Sequence, residues 1–139
     1  MKIGTLLALG YGEAGASIIA ENMQKKSLTN LTTGKKKIAI FGFCDIRNFT
    51  DATEVLQEDV MLFVNTIAQV VHNQIDLYLG AANKNIGDAF LLVWRFPDKF
   101  CEIDENGSMK LKDSFYVNNL ADLALIGIIK TIIKLNTNL

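Results

Sequence analysis

The chain is poor in the residues that break, cross-link or charge a fold. Its only proline is Pro97, so the segments before and after it are free to run as regular elements. Its only histidine is His72, which leaves no pair of imidazoles to hold a metal or relay a proton. The two cysteines, Cys44 and Cys101, form no CxxC motif. That spacing gives neither a zinc framework nor a disulfide scaffold, and reduced intracellular thiols are the default. Net charge is −1, so no basic field argues for nucleic acid as a partner. No uninterrupted apolar run approaches the ~18 residues needed to span a bilayer, and the sequence predicts no membrane span. Internal repeats and low-complexity tracts are absent too.

What the chain has in excess is apolar surface. Hydrophobic residues make up 50% of 139 positions, with a mean hydropathy of +0.22. One domain of this length can bury a core, and the surplus implies a surface that meets a partner. At the N-terminus, Lys2, the run Ile3 to Leu9 and Ala14-Gly15-Ala16 imitate a signal peptide. Its glycines shorten the apolar core, and Glu13 to Gln24 continue as an amphipathic helix, which is the expected reading. Lys25 to Gly34, KKSLTNLTTG, is the best linker. The expected division is a helix and linker over 1–34 and a second domain over 35–139, whose character rests on the motifs below.

Within that domain the strongest stretch is KKKIAIFGFCDIRNFT, Lys35 to Thr50. Ile38 to Cys44 reads as a buried strand that ends on Asp45, and Ile46 to Thr50 turns towards a helix. Asp51 with Glu54 fits a capping box. Val60, Phe63, Val64, Ile67, Val70, Val71 and Ile75 follow at helical spacing, with Gly80 as the expected C′ residue. Ala82 to Trp94 reads as a hairpin turning at Gly87-Asp88 and ending before Pro97. Asp98 to Asp113 is charged and turn-like, an exposed insertion. A helix then runs from Tyr116 or Asn118 to about Leu135, with some fifteen mostly apolar residues, too few for a span.

The expected fold class is therefore α+β. Strand, helix, strand, strand, helix matches the first five elements of a ferredoxin-like βαββαβ fold, truncated before the last strand and preceded by a short helix. The missing strand would lie beside the first, so Ile38 to Asp45 should have an open edge.

The motifs FGFCDIRNFT and KNIGDA make the chain resemble the catalytic domain of class III adenylyl/guanylyl cyclases, most closely those of ciliates and related protists. The likeness is strong from about Lys37 to Trp94, extends to Tyr116–Asn136, and is weak before Gly10. It implies that Asp45 and Asp88 hold two Mg²⁺ or Mn²⁺ ions, with the Ile46 carbonyl assisting. It also implies that the turn Ile46, Asn48, Phe49 and Thr50 donates N–H groups to the triphosphate. Gly87 would bring Asp88 back to Asp45, and Lys84 would read the base, favouring ATP over GTP. Hard cations and carboxylate oxygens suit each other, and phosphoryl transfer depends on such charge stabilisation. The implied setting is intracellular signalling at a membrane's cytosolic face or in a cilium. The implied partners are a nucleoside triphosphate and a second cyclase domain, or another protein covering the open edge.

Each residue also has a plain structural reading. Asp45 can cap a helix and Asp88 is a common turn residue; Lys84 can guard an edge strand. Structural or solvated readings are preferred for His72, Arg47 and Lys35 to Lys37. Cys44 reads as a buried small hydrophobe, and Trp94 and Phe96 as core or interface aromatics. The Asn-x-x-x-Arg helix that completes a cyclase site is not in this sequence, so no catalytic residue beyond the metal ligands is expected. The competing function is a cyclase-derived interaction module. A diguanylate-cyclase-like relative is disfavoured because no GGDEF-type hairpin occurs.

Overall fold

The computed structural model describes residues 36–138. The expected N-terminal helix and linker, and Lys35, lie outside them. The chain divides into two units, Met1–Lys36 and Lys37–Leu139, and the second is the subject here.

This unit mixes helices with antiparallel sheet, as the α+β reading expects. Strand β1, Ala39–Asp45, leads through helix α1, Phe49–Leu56, a 3-10 turn, Gln57–Asp59, and helix α2, Val60–Leu77. Strands β2, Ala81–Ile86, and β3, Ala89–Arg95, form the hairpin. A second small sheet of β4, Cys101–Ile103, and β5, Met109–Leu111, precedes helix α3, Phe115–Asn138. The main sheet has the order β1-β3-β2, with β3 antiparallel to both neighbours. Consecutive strands β1 and β2 are thus parallel and separated by the strand that follows them.

The core forms where apolar periodicities meet. Every second residue of β3 and its extension, Phe90, Leu92, Trp94 and Phe96, is buried on one face of the sheet. Ile67, Val71 and Ile75 of α2 and Val117, Leu120 and Ala124 of α3 complete the cluster. Burying each large side chain contributes roughly 1.5–3 kcal/mol. Trp94, fully buried, also donates from Nε1 to the Tyr78 carbonyl at 3.0 Å. The expected core role of Trp94 and Phe96 is what the packing gives.

Three expectations about the helix ends are corrected. The capping box at Asp51 and Glu54 does not form. Helix α1 begins three residues earlier, with Asn48 instead of Asp51 as N-cap, in the left-handed region at φ 54° and with no side-chain cap bond. Asn tolerates that conformation better than most residues. The helix expected to run on to Gly80 breaks at Gln57, whose φ is 47°. Leu79, not Gly80, is the left-handed C′ residue at the end of α2, with φ 59°. The Leu79 N–H donates to Asp76 O at 3.1 Å and the Gly80 N–H to Ile75 O at 2.9 Å, the two bonds of a Schellman ending. Gly80 is required for a different reason: a Cβ there would stand 2.6 Å from Ile75 Cγ2 and from Trp94 Cε2. A leucine in the left-handed region costs about 1–2 kcal/mol, and Leu79 is 62% exposed. Leu79→Gly is therefore expected to raise stability by up to about 1 kcal/mol in a urea titration.

The insertion is a built hairpin rather than a plain loop. Asp104 Oδ1 accepts from the N–H groups of Asn106 at 2.9 Å and Ser108 at 2.8 Å, which organises the β4–β5 turn. The rings of Phe100 and Tyr116 stack at 4.5 Å. Finally, α3 is longer than expected. Its stretch Phe115–Thr137 is long and apolar enough, by length and composition, to cross a bilayer, with a hydropathy of 1.4. A mostly buried core helix meets the same criterion, but only 28% of this stretch is buried; Val117, Leu120, Ala124 and Thr131 face the core, while Leu125, Ile129, Ile132 and Ile133 are exposed.

Candidate metal and nucleotide site

The site is built where β1 ends beside the β2–β3 turn. The register pairs Asp45 with Ala89. One step further, the Ile46 N–H donates to the Asp88 carbonyl at 3.1 Å. The residue after one acid is thus bonded to the other acid's backbone. Asp45 is exposed and Asp88 half-buried. Gly87 holds φ 64° in the turn, and nothing lies within 4 Å of where its Cβ would be. Its requirement is backbone conformation, not room.

The turn after β1 passes directly into α1. The Ala52 N–H, donating to Asn48 O at 3.0 Å, closes the first helical bond. Amides ahead of it, including those of Phe49 and Thr50, have no partner within the helix. They start the helix one residue after the Asp88-bonded loop turns, a place where backbone donors favour an anion.

Lys84 reaches the face of Asp45 through the register of the two-residue turn, just ahead of an irregularity that the sequence reading did not foresee. The β2–β3 register shifts between Ala82 and Lys84, so Asn83 is an extra residue. Before the bulge, Ala81 opposes Val93; after it, Lys84 opposes Leu91 and Ile86 opposes Ala89. In the same register Phe43 opposes Leu91 and Asp45 opposes Ala89. Lys84, Leu91 and Phe43 make one row across the sheet, and Ile86, Ala89 and Asp45 the next. Counted back from the two-residue turn at Gly87-Asp88, the pairs Ile86–Ala89, Asn85–Phe90 and Lys84–Leu91 are regular, so the turn sets the face of Lys84 and the bulge lies beyond it. The only sequence sign is an asparagine inside a strand, where it is disfavoured.

Asp45 and Lys84 therefore share one face of the sheet, and Ile46 and Asp88 meet at the same end of it. Two carboxylates and a carbonyl are hard oxygen donors of the kind Mg²⁺ and Mn²⁺ take. Among the described residues, no group of three or more His, Cys, Asp or Glu side chains gathers to hold a metal. Arg47 is exposed, consistent with a solvated cation. His72 is exposed on α2 and meets Phe90 edge-on at 6.1 Å, a packing contact. Lys37 pairs with Asp98 at 2.6 Å, at the start of β1 and away from the acids.

Cys44 lies on the helix side of β1. Burial pushes its thiol above the ordinary value of 9.0, and the neighbouring Asp45 charge adds to the shift. The folded thiol holds its proton more tightly than the unfolded one. Its contribution to stability is intact below pH 9.0 and falls as pH rises through the folded value. Thermal melts between pH 8 and 10.5 should show a steeper alkaline decline for the native chain than for Cys44→Ala.

A family model described as the RasGEFs all helical domain matches residues 1–24, outside the described part of the chain. No curated protein and no solved structure matches.

Proposed function

We propose that residues 37–138 are the metal-binding portion of a class III nucleotide cyclase domain, which forms a cyclic nucleotide and pyrophosphate from a nucleoside triphosphate, ATP rather than GTP. One observation carries the reading: the bond from the Ile46 N–H to the Asp88 carbonyl, which draws the two motif aspartates to one sheet end. The strand order β1-β3-β2, with α2 crossing between parallel β1 and β2, also supports it. That order fits the first three strands of a ferredoxin-like sheet.

In this reading Asp45, Asp88 and the Ile46 carbonyl hold two Mg²⁺ or Mn²⁺ ions. Bound ions of this type neutralise phosphate charge and activate the attacking ribose oxygen. The amides around Asn48, Phe49 and Thr50 orient the phosphates, and Lys84 meets acceptor atoms of the base. In this reading these parts act together at one sheet end, while the transition-state arginine of the family has no counterpart in its motif here. The parent protein would act inside the cell, at a membrane's cytosolic face or in a cilium, with a second domain completing the site.

Calorimetric titration with Mn²⁺ and a non-hydrolysable ATP analogue tests this, with Asp45→Ala/Asp88→Ala as the comparison. Saturable binding that the double variant loses supports the reading, and a folded chain that binds neither would sink it. The rival reading, an interaction module derived from a cyclase, is favoured by one feature. Phe41 and Phe43 are 62% and 72% exposed on the face that carries Asp45.

A further inference from the structure

The two helices that cover the main sheet differ on their outer sides. Helix α2 buries Ile67, Val71 and Ile75 and turns Asn65, Gln69, Asn73 and Asp76 outward, so its back is polar. Helix α3 is held to the core by Val117, Leu120, Ala124 and Thr131, and its Gly127 faces Trp94 and Tyr78. The side away from these residues carries Ile126, Ile129 and Ile133, at 41%, 47% and 51% exposure, with Leu125 and Ile132 beside them at 59% and 55%. A helix that is apolar on all sides normally lies inside a protein or a membrane. Only 28% of the apolar stretch of α3 is buried, so its outer strip is an exposed surface of the kind that marks a contact. The strip points away from the sheet, and a strand added beside β1 in the plane of the sheet would leave it uncovered.

We propose that the outer strip of α3 docks on the surface of a bilayer rich in anionic phospholipid, with the helix lying along that surface. Its inner face is committed to the core, so α3 rests in the interface rather than crossing it. The charges select this occupant. Between Asp122 and Asn138 the only charged side chains are Lys130 and Lys134. Both are exposed, and neither has an ion-pair partner among the described residues. They follow Ile126 at successive four-residue steps, so they line the flank of the strip that leads to Gly127. Lysine stems extend along apolar surface while their ammonium groups reach polar partners at its border, here the phosphates of the headgroups. Asp122 bounds the strip at its N-terminal end, so the contact begins after it.

A second copy of the chain fits the strip less well. The antiparallel register that covers all of it is centred on Ile129, and that register would set the two Lys130 side chains beside each other, a like-charge contact. An anionic surface meets the same lysines with opposite charge. The contact has two separable parts. The isoleucines supply attraction to any bilayer. The lysines supply the preference for negative headgroups, which salt screens.

The docking does not rest on the cyclase reading, and its test contains neither divalent cations nor nucleotide. The full chain is co-sedimented with phosphatidylcholine vesicles, with and without phosphatidylserine as one-third of the lipid, at low and high salt. The native chain should partition onto the phosphatidylserine vesicles at least tenfold more strongly than onto phosphatidylcholine alone, and high salt should remove most of that difference. Ile129→Gln/Ile133→Gln should weaken binding to both kinds of vesicle at least tenfold. Lys130→Gln/Lys134→Gln should abolish the preference and keep the weaker binding to neutral lipid. All four substituted positions are exposed, and an unchanged far-UV circular dichroism spectrum confirms each fold. A chain that stays in the supernatant with every vesicle overturns the proposal, as does binding that a folded isoleucine variant retains in full. Sedimentation velocity without lipid supplies the last outcome. A monomer that binds vesicles supports the docking, whereas a dimer that the isoleucine variant dissolves assigns the strip to a second copy and overturns it.

Discussion

Trp94→Ala is expected to leave the second unit unfolded, or nearly so, at ambient temperature. Trp94 is fully buried on the central strand. Its ring edge packs against three close approaches. A Cβ on Gly80 would be 2.6 Å away, and Cβ atoms on Gly42 and Gly127 3.4 Å and 3.5 Å away. These glycines belong to β1, to the residue before β2 and to α3, so one side chain contacts every layer. Truncating a buried Trp to Ala typically costs about 3–5 kcal/mol. Small domains have about 5–15 kcal/mol in total, so this one loss is a large share of it. Surrounding side chains cannot easily collapse into the cavity, because Gly80, Gly42 and Gly127 offer none. Trp94→Phe separates packing from hydrogen bonding. It keeps most of the volume but leaves the Tyr78 carbonyl without the Nε1 donor at 3.0 Å, a loss of about 1–3 kcal/mol. Urea titration followed by far-UV circular dichroism checks both, since the only tryptophan is the residue removed. An alanine variant within 1 kcal/mol of the native chain would mean that the layers hold independently of Trp94.

The second large effect falls on cation binding. Asp45→Ala and Asp88→Ala are each expected to weaken Mn²⁺ binding by at least tenfold, and the double variant to abolish it. A hard dication bound by two carboxylates loses half its charge complement when either goes, so the single variants should be far from additive. The folds should survive. Asp45 is an exposed strand terminus, and Asp88 contributes its backbone carbonyl, not its carboxylate, to the bond with Ile46. Manganese relaxation in solution reads the affinity without requiring turnover. Equal affinity in the native chain and the double variant would remove the aspartates from any metal role.

How much of this was legible in the sequence depended on the range of the forces involved. The strand ending on Asp45 and the Gly87-Asp88 turn were readable because apolar runs and turn chemistry are local, but the strand is not buried as its apolar run suggested: Phe41 and Phe43 are 62% and 72% exposed. The burial of Ile67, Val71 and Ile75 followed from helical spacing alone. The left-handed residues were not readable. Gln57 and Leu79 are exposed residues at helix ends that adopt positive φ against their own preference, and nothing in their neighbourhood announces it. The β4–β5 hairpin was missed because Asp98 to Asp113 is charged and its strands are three residues each. Those strands are held by Asp104's turn bonds more than by an apolar pattern. At the candidate site the motif named the two aspartates. Their joining through Ile46 and the path by which Lys84 reaches the face of Asp45 required the register.

The extra residue at Asn83 interrupts the β2–β3 ladder without changing the pairing on either side of it. Removing it would join the pair Ala82–Leu92 directly to Lys84–Leu91 and give a more regular strand. Lys84 and Ile86 would stay on the row beside Asp45, where the two-residue turn at Gly87-Asp88 sets them. One added residue between Lys84 and Gly87 would instead carry Lys84 to the face of Phe90. Among descendants of this sequence, the spacing from Lys84 to Gly87 should be kept more strictly than the bulge.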